Sequence, residues 1–258
     1  MTSTDSLRAI EAYYDAVPRA AARVEEFGPL RLFVREGAGF PYYARPAGGE
    51  PTAEAVLAVR ERQRELGIPE AFEWVAEVTP GLREAVEATG LKAGAHPLLV
   101  LEGALGPAVE TPGVVVRLLG ADDPELAPAL AAVHLAFGRA GSQEEVAAEL
   151  TADGTVAATA ASIRSGHRLL VAAVDAEGRV LCSGSSLPVG GVAEIGGVGT
   201  LPQARRRGLA YAVTRALALA AGGGGVHTLF LSAADESVAR IYRRLGFVPR
   251  ATAMIAEG

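Results

Sequence analysis

The sequence predicts an α+β protein with a mixed central sheet flanked by helices, preceded by a second, N-terminal α/β domain. Segments that alternate like strands follow segments with apolar residues at helical spacing along the whole chain. Short stretches rich in Gly and Pro separate them. Half of the 258 residues are hydrophobic and 21% are charged, the balance of a globular chain with a core to bury.

In order, a helix is expected to about Phe27, then short strands at "LRLFVRE" and "FPYYARP". A helix follows across "TAEAVLAVRERQREL", closed by Gly67 and Pro69. Next come "FEWVAEV", a short helix "PGLREAVEATG" and an extended "PLLVLEG". "GALGPAVETPG" reads as a linker, so residues 1–108 and 113–258 are the expected domains. The second set opens with strand "VVVRLL", a helix from Asp123 to Phe137 and another from Gln143 to about Arg164. Strands "RLLVAAV", "RVLCSGSSLPV" and "VAEIGGVGTL" lead to a long helix that begins near Arg205 to Gly208. Strand "VHTLFLS", helix "ESVARIYRRLG" and a strand pair from Phe247 complete the pattern, with "GGGG" at Gly222 to Gly225 as a helix-to-strand turn.

A formal charge of −6 argues against nucleic-acid binding, which needs a basic face. No apolar run is long enough to span a membrane, and the first residues lack a basic-then-apolar signal pattern. A lone cysteine, Cys182, precludes an intramolecular disulfide and suits a cytoplasmic chain, where it reads as a buried strand residue. Arginine and alanine in excess point to a GC-rich bacterial genome. The four histidines make no metal spacing, so no metal is expected; His134 reads as a helix histidine.

The chemically informative stretch is "VGTLPQARRRGLAYAV", Val198 to Val213. Leu209, Val213 and Leu217 form one apolar stripe, so the helix begins at the arginines. Cations at a helix N-terminus oppose the macrodipole unless an anion sits there. The orphan N–H groups of the first turn, with Gly208 allowing close approach, suit a pyrophosphate. A solvated basic patch is the other reading of this turn alone. A dinucleotide fingerprint at "GVG" fails on Pro202 and the missing third glycine. Upstream, "EIGGVGT" places three glycines in a strand, the mark of a bulge or of close approach by another chain or ligand. Unpaired N–H groups there would suit an extended ligand such as a pantetheine arm.

Arg205, Gly208 and Ala210 resemble the Arg/Gln-x-x-Gly-x-Gly/Ala motif of the GCN5-related N-acetyltransferases (GNAT family). "DESVARIYRRLGF" is similar to that family's Asn-x-x-Ala-x-x-x-Tyr-x-x-x-Gly-Phe segment through Tyr242, Gly246 and Phe247, with Asp235 at the usual Asn and Val238 at the usual Ala. The resemblance implies a GNAT-like mixed sheet and acetyl-CoA as acyl donor. It implies that Val198, Gly199 and Thr200 meet the pantetheine arm, and that Arg205, Arg206, Arg207, Gly208, Leu209 and Ala210 form the pyrophosphate turn. Asp235 would add one polar contact to the cofactor. By the same resemblance Tyr242 protonates the departing thiolate and Glu194 is a general base for the amine. The residues alone also allow Tyr242 as a core tyrosine and Glu194 as a strand glutamate facing solvent or an arginine. The implied acceptor is a small-molecule amine or a protein amino group, on a monomer or homodimer; a non-catalytic acyl-CoA-binding or sensing module is the alternative.

The N-terminal half lacks such a turn. "FEWVAEVTPGLREAVEATGLKAGAHPLLVLE" nevertheless echoes the C-terminal strand-helix-Gly-strand segment. Aligning Gly90 with Gly246 puts Val86 where Tyr242 stands, as in a tandem protein whose first copy has lost its phosphate turn and its acid; a helical helper domain unrelated to that fold is the alternative.

Overall fold

The computed structural model describes residues 3–258. The chain forms two compact units, each assembled from separated segments: residues 1–99, 232–239 and 249–258 in the first, and 100–231 and 240–248 in the second.

The first unit begins with α1 (Ser3–Arg19), which stops well before Phe27. Residues Ala22–Phe27 form strand β1 instead, paired antiparallel with β2 (Leu30–Arg35). The pairing of "ARVEEF" with β2 decides this strand, and Gly28 at φ 62° supplies the reversal. Of the expected strand "FPYYARP" only β3 (Arg45–Pro46) forms. Helix α2 (Ala53–Glu65) starts where Thr52 accepts the Ala55 N–H at 3.2 Å. Then come β4 (Ala71–Val75), α3 (Leu82–Glu87) and β5 (Lys92–Leu101). The core gathers Leu30, Leu32, Val56, Val59, Phe72, Trp74, Leu82 and Val86 with Met254 and Ala256 from the chain's last strand.

The second unit places β6 (Val114–Leu118), β7 (Leu169–Asp175), β8 (Val180–Val189), β9 (Val192–Thr200) and β10 (Thr228–Ser232) side by side in that order. Pairing is antiparallel from β6 to β9 and parallel between β9 and β10, the mixed sheet that was expected. Helix α4 (Leu126–Ala136) is followed by α5 (Gln143–Ala152) and α6 (Thr155–Arg164), two helices where the apolar pattern reads as one. Gly154, left-handed at φ 85°, ends the first and opens the second. Two glycines show which helix covers which face. A Cβ on Gly184 would press on Val213 and Leu217 of α7 (Leu209–Gly223), and one on Gly199 would press on Val133 and Ala136 of α4. Helix α8 (Glu236–Arg243) and one long strand β11 (Phe247–Glu257) close the chain; the expected strand pair is a single strand. "FVPRATAMIAEG" contains no glycine before Gly258, so nothing in it supports a tight hairpin.

The stretch "GALGPAVETPG" has no regular structure but is fastened within the second unit. Tyr211 Oη donates to the Pro107 carbonyl at 2.8 Å, Arg215 Nε to the Gly106 carbonyl at 2.9 Å, and the Gly106 N–H to the Leu245 carbonyl at 3.1 Å.

Candidate active site

β9 carries the site's geometry. Its antiparallel register with β8 continues to Thr200, with a bulge between Ser183 and Ser185. Its parallel register with β10 pairs Val192 with Thr228, Ala193 with Leu229 and Glu194 with Phe230, and ends there. From Ile195 to Thr200 the β10-facing edge of β9 therefore has no ladder partner among the described strands. Gly197 is left-handed at φ 61°, a turn in the backbone that a Cβ would resist. Gly199 has a different reason to be glycine: a Cβ there would come within 2.8 Å of Ala136 Cβ and 3.0 Å of Val133 Cα.

After Leu201 a 3₁₀ turn (Pro202–Ala204) leads into the arginines, and the helix proper starts at Leu209, later than the arginine run suggests. Arg206 at φ 62° is the non-glycine residue with positive φ among the described residues, and Gly208 follows at φ 77°. A non-glycine residue in this region costs about 1 kcal/mol or more. Two left-handed residues, Arg206 and Gly208, stand two positions apart in this turn, the kind of backbone alternation from which anion nests are built. No side chain caps α7, and its first helical hydrogen bond is the Ala212 N–H to Gly208, at 3.0 Å. The Leu209, Ala210 and Tyr211 N–H groups thus have no intrahelical acceptor.

The three arginines do different work. Arg205 turns back onto backbone, with Nε 3.4 Å from the Thr200 carbonyl and an Nη 3.2 Å from that of Ala136, so it braces the end of β9 against α4. Arg207 makes one long contact, 3.5 Å, to the Pro112 carbonyl. Arg206 is exposed at the nest.

Tyr242 on α8 is 7% exposed, its ring edge-on to Phe247 with centroids 6.2 Å apart. Burial pushes its phenol up to about 12. Cys182 is fully buried and pairs across the ladder with Thr200, whose hydroxyl donates to Sγ at 3.1 Å. Burial raises the thiol to about 11, so it stays protonated. Thr200 and Cys182 thus form one pair at the end of β9. In the sequence Cys182 reads only as a packing residue; its register opposite Thr200 is not legible in "RVLCSGSSL".

Glu194 is partly buried on β9, where the β10 ladder ends, four residues before Val198. Asp235 belongs to the first unit. Its Oδ1 accepts the Val238 N–H at 2.9 Å and the Ser237 hydroxyl at 2.6 Å, which makes it the N-terminal cap of α8. Burial lowers the pKa of His134, which lies in the last turn of α4. Among the described residues no cluster of His, Cys, Asp and Glu could hold a metal, and no helix is long and apolar enough to cross a membrane.

The FR47-like protein family model matches residues 187–255, from the middle of the β8–β9 hairpin nearly to the end of β11. A GCN5-related N-acetyltransferase from Kribbella flavida is similar over 97% of this chain and 95% of its own, at 25% identity and a TM-score of 0.72. A tandem GNAT protein from the clavulanic acid biosynthesis pathway is 19% identical, with a TM-score of 0.56 over 89% of this chain and 78% of that one. A GCN5-related N-acetyltransferase-like protein from Streptococcus suis covers 99% of both chains at 13% identity and a TM-score of 0.58. No curated protein matches the sequence. The mixed sheet, the early end of the β9–β10 ladder, the turn that follows it and a likeness extending over nearly the whole chain agree: this chain has the fold of the GCN5-related N-acetyltransferases, tandem members included.

Proposed function

We propose that the chain is an acetyl-CoA-dependent N-acetyltransferase acting on a primary amine, with its chemistry in the second unit. The observation that carries this is the open edge of β9 from Ile195 to Thr200, which runs directly into an uncapped helix start with a nest at Arg206–Gly208. An open amide edge followed by an anion nest fits a ligand that has amide arms at one end and a pyrophosphate at the other. Acetyl-CoA would supply the thioester acyl group. Val198, Gly199 and Thr200 would hold its arm, and the turn from Arg206 to Ala210 its pyrophosphate. Arg205 supports the turn from behind through its carbonyl contacts.

Backbone N–H groups at Val198–Thr200 are fixed donors, worth most where water is excluded. Glu194 takes the proton from the attacking amine. Tyr242 Oη holds its proton through the neutral range and gives it to the departing sulfur.

Thermal unfolding with acetyl-CoA, against NADH as control, tests the assignment. At 100 times its dissociation constant a ligand adds about 2.7 kcal/mol. At about 2–4 °C per kcal/mol the melting temperature should rise by several degrees with acetyl-CoA and stay put with NADH. No shift with saturating acetyl-CoA would overturn the cofactor and the activity together. A shift without turnover on any amine would leave a binding module.

A further inference from the structure

The arginines of this chain divide into two populations. Many of those before β8 are spent on carboxylates, as where Arg62 holds Glu25 and Arg179 holds Asp175, each at 2.8 Å. Beyond β9 the pattern reverses. Arg205, Arg206, Arg207, Arg215, Arg240 and Arg244 enter no ion pair among the described residues, in a chain whose formal charge is −6. Arg205 and Arg215 are held by backbone carbonyls, and Arg206 and Arg207 belong to the turn before α7. That leaves Arg240 and Arg244.

Both are exposed. Arg244 directly follows α8, and its N–H reaches the Arg240 carbonyl at 3.4 Å, so the two side chains stand one turn apart on one face. Like charges at that spacing repel and weaken a helix. Cations at a helix C-terminus often bond its last carbonyls, but the Arg244 guanidinium makes no such bond. It lies instead over the Tyr211 ring, 5.6 Å from the centroid and within cation–π range. Tyr211 is the third residue of α7 and is buried, with its hydroxyl fixed on the Pro107 carbonyl at 2.8 Å. The ring is thus a fixed seat that keeps a cation beside the first turn of α7, where the proposed pyrophosphate site lies. An aromatic face supplies no oxygen acceptor, so the N–H donors of Arg244 stay available for one.

Two uncommitted guanidinium groups one turn apart suit a phosphate monoester, which carries nearly two negative charges and three acceptor oxygens at neutral pH. Acetyl-CoA has such a group on the ribose next to its pyrophosphate. We propose that Arg244, with Arg240 beside it, binds this ribose phosphate and makes the chain select acetyl-CoA over the same donor without it. That role depends on the acetyl-CoA assignment above, and it falls to two positions that the Tyr242 motif leaves open.

Titration calorimetry of the full chain with coenzyme A and with dephospho-coenzyme A, which differ only in that phosphate, is the test. Coenzyme A is expected to bind about tenfold more tightly, the difference made by a charge-assisted contact. Arg244→Gln should weaken coenzyme A binding and leave dephospho-coenzyme A binding unchanged, so that the two ligands bind nearly alike. Arg240→Gln should narrow the difference in the same direction, and it decides the matter if Arg244→Gln does not fold. Equal binding of the two ligands by the wild type, or an undiminished difference in either folded variant, would overturn this role and leave the acetyl-CoA assignment standing. A wild type that binds neither ligand would overturn both.

Discussion

Tyr242→Phe should lower kcat by about 10²–10⁴-fold, the usual contribution of a positioned general acid, with acetyl-CoA affinity nearly unchanged. The ring remains to pack against Phe247, so the melting temperature should move little; only the hydroxyl is lost. Release of coenzyme A thiol with an amine acceptor reports the rate, and titration calorimetry reports the affinity. A variant with wild-type turnover would reduce Tyr242 to a core tyrosine and sink the assignment. The pH dependence has a defined sign. The folded phenol is pushed up to about 12, against an ordinary value near 10. Between those values the folded state keeps a proton that the unfolded chain has lost. Stability from this group is therefore complete below about pH 10 and falls as pH rises toward 12. Tyr242→Phe should flatten that part of the stability curve. In the wild type, no descending limb of the rate profile below pH 10 should belong to this residue.

The elements that carry the candidate site were more legible in the sequence than the packing around them. Helix α7 announces itself by the stripe of Leu209, Val213 and Leu217, all buried, and the two motifs containing Gly208 and Tyr242 have the separation of one strand and two helices. What spacing could not reveal is register. Cys182 becomes Thr200's partner only because β8 and β9 pair with a bulge between Ser183 and Ser185. The distinct tasks of three adjacent arginines also depend on three dimensions: Arg205 finds the carbonyls of Thr200 and Ala136, while Arg206 takes positive φ. Element boundaries depart from the sequence pattern for local reasons. Residues 22–27 continue a helical composition but pair with β2, where tertiary pairing overrides propensity. Gly154 breaks a run of alanines that carries helical periodicity on both sides.

Gly106→Ala should be the most destabilising small substitution in the second unit, for reasons tied to the same site. A Cβ there would fall 2.4 Å from the Arg244 carbonyl and 2.6 Å from the Tyr211 hydroxyl, and the first of these is backbone that cannot swing aside. Overpacking costs about 1–3 kcal/mol, and displacing the Tyr211–Pro107 bond adds about 1 kcal/mol. At about 2–4 °C per kcal/mol, a loss of roughly 5–15 °C in melting temperature follows. Tyr211→Phe, which removes the hydrogen bond without the clash, should cost only about 1 kcal/mol. That ordering separates close approach from hydrogen bonding as the reason for the glycine. Gly246 has the same task across the strap formed by residues 102–112: at φ 99° its Cβ would meet the Ala104 carbonyl at 2.9 Å, while its own carbonyl accepts the Glu102 N–H at 3.2 Å. The strap then passes Gly208, where Val109 lies 3.8 Å from the Cβ position, and meets Arg207 through the Pro112 carbonyl. A strap lifted by Gly106→Ala loosens the lining of the nest, so acetyl-CoA affinity should weaken along with stability. Wild-type melting and affinity in Gly106→Ala would mean that residues 102–112 merely lie against α7 and support nothing.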